Sequence, residues 1–309
     1  MKQSSILFFI LLIALAGCSR ESGKTRNEPR VKVKASERSL LFTPDTVNAL
    51  MVIDFTSLPD PKKAADAPVH RAALDKGIAV LYTSCSEYFP DLFLDDDGPE
   101  CLDALIESIR ADKGWIELPV FVGGLSAQGT RALRYAAYCA SGRSISGKPV
   151  DGVFVVDSPL DLDRFYRAED AHGSRFINGM EQEADLVMRV LAEQLGGTPD
   201  DVPEAYQFAS VFTHDHEEGG NAHHLLQTPI IFFTEPDMNW WINERNATYV
   251  DINAYDLVAC TQFLRANGND DVNLHITSGR GFDSDGNRKP HSWSIVDESV
   301  LTDWMLRRI

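Results

Sequence analysis

Residues 117–139 read "ELPVFVGGLSAQGTRALRYAAYC". The apolar run Val120, Phe121, Val122 has the character of a buried strand. It stops at Gly123 and Gly124, and helical spacing begins at Ala127. Ser126 stands at the corner. A chain that turns sharply from strand to helix needs small side chains nearby, and Gly123, Gly124, Ala127 and Gly129 supply them. A serine hydroxyl is a poor nucleophile until a base takes its proton. At such a corner its oxygen projects from the backbone, and the N-terminal N–H groups of the next helix face whatever it attacks. The plainer alternative for Ser126 is a helix N-cap after a buried strand.

Around this corner, short apolar runs alternate with amphipathic segments. Strands are expected over 49–57, 78–84, 119–124, 151–159, 228–237 and 272–279. Helices are expected over 70–77, 99–114, 127–140, 252–268 and 292–308. Residues 160–227 break the rhythm with one expected helix, 179–197, and polar loops, and read as a cap or lid insertion. The alternation predicts an α/β fold, a mostly parallel sheet with helices on both faces.

In open parallel sheets, sites form beyond the carboxyl ends of the strands. Gly124-Leu125-Ser126-Ala127-Gln128-Gly129 resembles the G-x-S-x-G nucleophile elbow of the α/β-hydrolase superfamily. It departs from that pattern at Gln128, with a glycine one place later. The resemblance implies an acid after a later strand and a histidine before the last helix, and Asp237 and His291 occupy such places. It extends over most of residues 45–309. It implies a serine hydrolase in which Ser126 attacks an acyl carbonyl, His291 relays the proton and Asp237 orients the imidazole. The Ala127 N–H would serve the oxyanion, with a second donor at Thr56 or Ser57. An esterase for small or carbohydrate-linked acyl esters is the favoured activity. A peptidase of the same fold and a non-catalytic binding protein are the alternatives. No cofactor is expected.

Each assignment has rivals. Glu235 lies two residues before Asp237, and Asp157 and Asp161 follow the fourth expected strand, where some hydrolases of this fold carry their acid. His275 lies inside a strand and reads as structural. Trp240, Trp241 and Trp293 flank the proposed acid and base; they could stack on a sugar or aromatic acyl group, or simply pack the walls. Arg245, Arg280 and Arg288 are candidates for holding an anionic substrate. The stretch 212–224 gathers His214, Asp215, His216, Glu217, Glu218, His223 and His224, but it is glycine-broken and reads as a solvated loop, not a metal site. Residues 94–100 lack calcium-loop spacing. Cys85 and Cys101 lie near one strand-to-helix connection and are candidates for a disulfide or for free packed thiols.

The ends and the charge bound the setting. Residues 1–17 carry a short positive start and an apolar core, as in a signal segment. Leu15-Ala16-Gly17-Cys18 resembles the lipobox of bacterial lipoproteins, which implies lipidation at Cys18 and a membrane-anchored, exported protein of the cell envelope. Residues 18–40 read as a flexible tether and 41–309 as the hydrolase domain. The first 38 residues hold eight Lys/Arg and three Glu, so the remainder is more acidic than the chain's net −17. An acidic body argues against nucleic acid as a partner.

Overall fold

The computed structural model describes residues 31–86 and 88–309. The proposed signal segment and Cys18 lie outside them. Eight strands among the described residues form one sheet: β1 (Lys32–Ala35), β2 (Ser39–Thr43), β3 (Ala49–Asp54), β4 (Ile78–Thr83), β5 (Val120–Leu125), β6 (Gly152–Val156), β7 (Ile230–Thr234) and β8 (Val272–Ile276), in spatial order β1-β2-β4-β3-β5-β6-β7-β8. The pairs from β4 through β8 are parallel, whereas β1 with β2 and β2 with β4 are antiparallel.

The helices are α1 (Pro61–Asp66), α2 (Pro68–Asp75), α3 (Asp97–Lys113), α4 (Ala127–Ala140), α5 (Leu162–His172), α6 (Met180–Leu195), α7 (Pro203–Ala209), α8 (Met238–Arg245), α9 (Ala254–Ala266) and α10 (Glu298–Leu306). They cover both faces of the sheet. Alternate residues of one strand therefore feed two separate cores, which is why the central strands are apolar throughout. Leu50, Val52, Val153, Val155, Ile230 and Phe232 pack with Leu102 of α3, Leu133 of α4 and Leu257 of α9. Their neighbours Met51, Ile53, Phe154, Val156, Ile231 and Phe233 pack with Val69 of α2 and Leu301 and Trp304 of α10.

Two sequence expectations change. The proposed tether, 18–40, ends early, because β1 and the start of β2 occupy its last residues. β1 is an edge strand of sequence Lys-Val-Lys-Ala with every residue exposed, so it carries no burial signal. Lysines on an edge strand also discourage pairing with another chain. The last helix starts at Glu298, not at 292. Asp297 is its N-cap, and Trp293–Ile295 form a 3₁₀ turn before it.

Residues 160–227, between β6 and β7, contain α5, α6, α7 and two 3₁₀ turns (Gly173–Arg175 and Gly220–Leu225), more helix than their polarity suggests. They have a small core of their own. Leu162, Val187, Leu191, Tyr206 and Ala209 pack with Leu92, Leu94 and the flank of Ala127. The insertion therefore rests directly on the residue after Ser126.

Cys85, just past β4, and Cys101, on α3, form a disulfide with Cα atoms 5.8 Å apart. It closes a loop of sequence separation 16. Closing such a loop in the unfolded chain is worth about 3 kcal/mol. Replacing both cysteines by alanine is expected to lower unfolding stability by about that amount in a urea titration; an unchanged midpoint would show that the bridge adds nothing.

Candidate active site

β5 runs into α4 with no intervening loop. Ser126 sits between them at φ 58°, ψ −131°. A non-glycine residue there costs roughly 1–3 kcal/mol and persists only where its surroundings hold it. The Ser126 N–H donates to Val156 O (2.9 Å), and Ser126 O accepts from the Gly129 and Thr130 N–H groups. The Thr130 hydroxyl donates to Pro159 O (2.6 Å), fastening the start of α4 to the chain after β6.

This geometry accounts for Gln128. A Cβ at Gly124 would lie 2.3 Å from the Cβ of Gln128, so a glycine at 124 leaves room for the larger residue. The Gln128 Oε1 accepts from Leu125 N–H (3.2 Å), bracing the turn from inside. The close approach falls one position later, at Gly129, where a Cβ would lie 2.2 Å from Ser158 Oγ and 2.8 Å from Gly124 O.

His291 reaches the same edge of the sheet. Its Nδ1 is 2.7 Å from Asp157 Oδ2. Asp157 follows β6 and is firmly held. Its N–H donates to Phe233 O, its Oδ1 accepts from Thr234 Oγ1 (2.8 Å), and its carbonyl accepts from Asn253 Nδ2 (2.9 Å). In the parallel register of β5 and β6, Leu125 pairs with Val156. Ser126 and Asp157 are the residues immediately after these two paired strand ends, so both stand at the carboxyl edge of neighbouring strands. Among the described residues, the Ser126 hydroxyl and His291 Nε2 form no hydrogen bond.

The acid expected from sequence, Asp237, is not the partner of His291. Its Oδ1 caps α8 by accepting from Trp240 N–H (3.1 Å), and its Oδ2 pairs with Arg288. Asp237 and Asp157 both lie just past a strand end. However, β6 neighbours the serine strand and β7 is one strand further out. Arg288, three residues before His291, engages Asp237 and Glu235 together. Glu235 also accepts from Thr277 Oγ1 and Arg280 N–H. Asp161 caps α5 and accepts from His214 N–H.

Ala127 is the first residue of α4, so its N–H has no acceptor within the helix. Thr56 is half-buried, with its carbonyl accepting from Ser84 Oγ (3.0 Å), and Ser57 is exposed. Just before them lies a pair that sequence reading did not single out. Arg131 of α4 is almost fully buried. Its Nη2 donates to Asp54 O (2.6 Å) and its Nε lies 3.4 Å from Asp54 Oδ2. Arg131 thus ties the helix that begins at Ala127 to the end of β3, from which the chain enters Thr56 and Ser57. From sequence, an arginine on an amphipathic helix reads as surface.

The remaining candidates have structural partners. Trp240 and Trp241 pack edge to face, 5.0 Å between centroids, with Arg245 over Trp240. Trp293 lies against Phe154 and the core beneath. Arg280 holds Asp297 and Val296 O. His275 stacks on Phe233. His214 Nε2 is 2.9 Å from the buried Asp256, and His216 and His223 bond their own turn. Among the described residues, no three His, Cys, Asp or Glu side chains converge as metal ligands.

This strand order, elbow and helix arrangement define the α/β-hydrolase fold. An esterase from Pyrococcus furiosus aligns over 94% of this chain and 96% of its own, with a TM-score of 0.55 and 11% identity. Carboxyl esterase 2 from the mycorrhizal fungus Tuber melanosporum aligns over 94% of this chain and 88% of its own, with a TM-score of 0.51 and 13% identity. At such identities the likeness is one of fold. No family model matches the sequence, and no curated protein does.

Burial pulls the His291 imidazole down, but the hydrogen bond and charge of Asp157 outweigh it, with Glu183 of α6 adding to them. The net shift is upward from the ordinary value. A raised folded-state pKa stabilises the fold in acid, and that contribution disappears as pH rises through the folded value. Titration of His291 by NMR is expected to give a pKa above that of a free imidazole, about 6.5. Asp157→Asn should lower it and Asp237→Asn should leave it in place; the reverse pattern would restore Asp237 as the partner.

Proposed function

We propose that this chain is a serine hydrolase that cleaves carboxylic esters of small or carbohydrate-linked acyl groups. The observation that carries the reading is the pairing of His291 with Asp157, whose strand register sets it beside the strained Ser126. Asp157 holds Nδ1 and so leaves Nε2 as the basic nitrogen. Nε2 takes the Ser126 proton as Oγ attacks the acyl carbon. The oxyanion is received by Ala127 N–H at the positive end of α4, with a second donor from the backbone at Thr56 or Ser57. The tetrahedral intermediate collapses, the alcohol leaves with the proton from His291, and water attacks the acyl-enzyme by the same relay in reverse.

Esterases among the structures of like fold support this chemistry at the level of class. In the same reading the helical insertion is a lid that sets substrate choice, since it rests on Ala127. The protein is exported and anchored in the cell envelope through lipid on Cys18. The Cys85–Cys101 disulfide supports an oxidising compartment.

A fluorophosphonate probe should label the native protein and fail to label Ser126→Ala. Asp157→Ala should lower kcat on p-nitrophenyl acetate by roughly 10³–10⁴-fold, whereas Asp237→Ala should change it little. Absence of both labelling and turnover in the native protein would leave a binding protein on this fold. Turnover confined to aminoacyl amides would make it a peptidase.

A further inference from the structure

A cavity lies at the far end of α4. Four separate elements line this half-open cavity of about 290 Å³: the end of α4, the chain entering α3, α7, and the 3₁₀ turn over 220–225. This is close to the lower end of small-molecule pockets, about 300 Å³. Its walls carry Arg134, Arg143 and His224, with Asp96 as the one carboxylate and Ala137 and Phe208 as apolar surface. Such a gathering of cationic and imidazole groups stands out on a chain of net charge −17.

Arg134 is 7% exposed. Its Nε donates to Phe93 O (3.1 Å) and its Nη1 to Phe208 O (2.7 Å), so the guanidinium is fixed in place. Among the described residues its Nη2 has no acceptor. Arg143 is aimed by Asp96 Oδ2 (2.7 Å) and Ser141 Oγ (2.9 Å) and packs 4.7 Å from the Tyr138 ring; its Nη2 likewise has no acceptor. The His224 ring, 3.8 Å from that of His223, makes no hydrogen bond among the described residues. Burial lowers the pKa of Arg134, and the charge of Arg143 lowers it further, against Asp96 and the exposed Asp95. Burial likewise holds His224 below the usual imidazole value, with His223 and Arg143 adding to it. These groups oppose one another's charge around an open space, and a bound anion would relieve that opposition.

We propose that this cavity binds a small phosphate monoester. The Nη2 groups of Arg134 and Arg143 and the His224 imidazole supply donors from three directions, which suits a three-oxygen head group. Phe208 and Ala137 cover its organic part. The site is distinct from that at Ser126. Arg134 lies eight residues further along α4 and Ser141 fifteen, which is about 12 Å and 22 Å of helix.

The test titrates phenyl phosphate into the full chain while the His224 imidazole is followed by NMR. A saturable shift is expected, with a Kd tighter than about 1 mM. Arg143→Gln should weaken binding at least about fivefold. Its exposed side chain bonds Asp96 and Ser141 and lies over the Tyr138 ring, all at the surface end of α4, so the fold survives the change, whereas Arg134→Gln also releases Phe93 and Phe208. Ser126→Ala should leave the affinity unchanged. Benzyl alcohol, which keeps the ring and lacks the charge, should not bind. Absence of a saturable shift, equal affinity in Arg143→Gln, loss of binding in Ser126→Ala, or equal binding of benzyl alcohol would each overturn the proposal.

Discussion

The corner at Ser126 is the constraint to which the rest of the site answers. A β-carbon residue at φ 58° is unfavourable by itself. It is held by the ladder bond to Val156, by Gln128 reaching back to Leu125, and by the bare Cα atoms at 124 and 129. Each holder belongs to a different piece of the fold: the sheet, the turn and the helix contact. The corner forms only once β5, β6 and α4 are all in place, so the reactive geometry is a product of the whole central layer.

The same layer supplies the electrostatics. α4 begins at the corner and directs its unpaired N–H groups there, while Arg131, one turn further on, grips the end of β3. One helix therefore carries one proposed oxyanion donor and sets the position of the strand that leads to the other. The helical insertion bears on Ala127 from above. The insertion's contact, the first free N–H of α4 and the strained serine thus meet within two consecutive residues.

Much of this was legible in the sequence. The inner strands, buried on both faces, leave unbroken apolar runs such as Ile230–Phe233, which no surface segment imitates. Ser126 stood out because a strand, two glycines and a helix met there, and His291 because it preceded the last helix. The carboxylate that pairs with His291 was not legible. Asp157 and Asp237 present the same local pattern, and what separates them is which strand lies next to β5 and which carboxylate Arg288 engages. Both facts belong to the assembled sheet. β1 leaves no trace in the sequence, because an exposed edge strand of lysines has no core to face. Arg131 and Arg134 are not legible either, because buried guanidiniums on an amphipathic helix look like its wet side until the neighbouring carbonyls are known.

The place of the carboxylate paired with His291 also bears on how reproducibly the site assembles. Adjacent strands in a twisted sheet turn by roughly 20–25° relative to each other, with wide variation from pair to pair. Ser126 and Asp157 are separated by one such step, because their strands are hydrogen-bonded neighbours. An acid beyond β7 would be separated from the serine by two steps, and the scatter of both would enter the alignment of serine, imidazole and carboxylate. With Asp157 just past β6, one strand-to-strand step separates it from Ser126, while its bonds to Phe233 O and Thr234 Oγ1 make β7 part of its support. β8, two strands beyond β6, is the margin of the sheet, and its residues beyond Val272 are only partly covered.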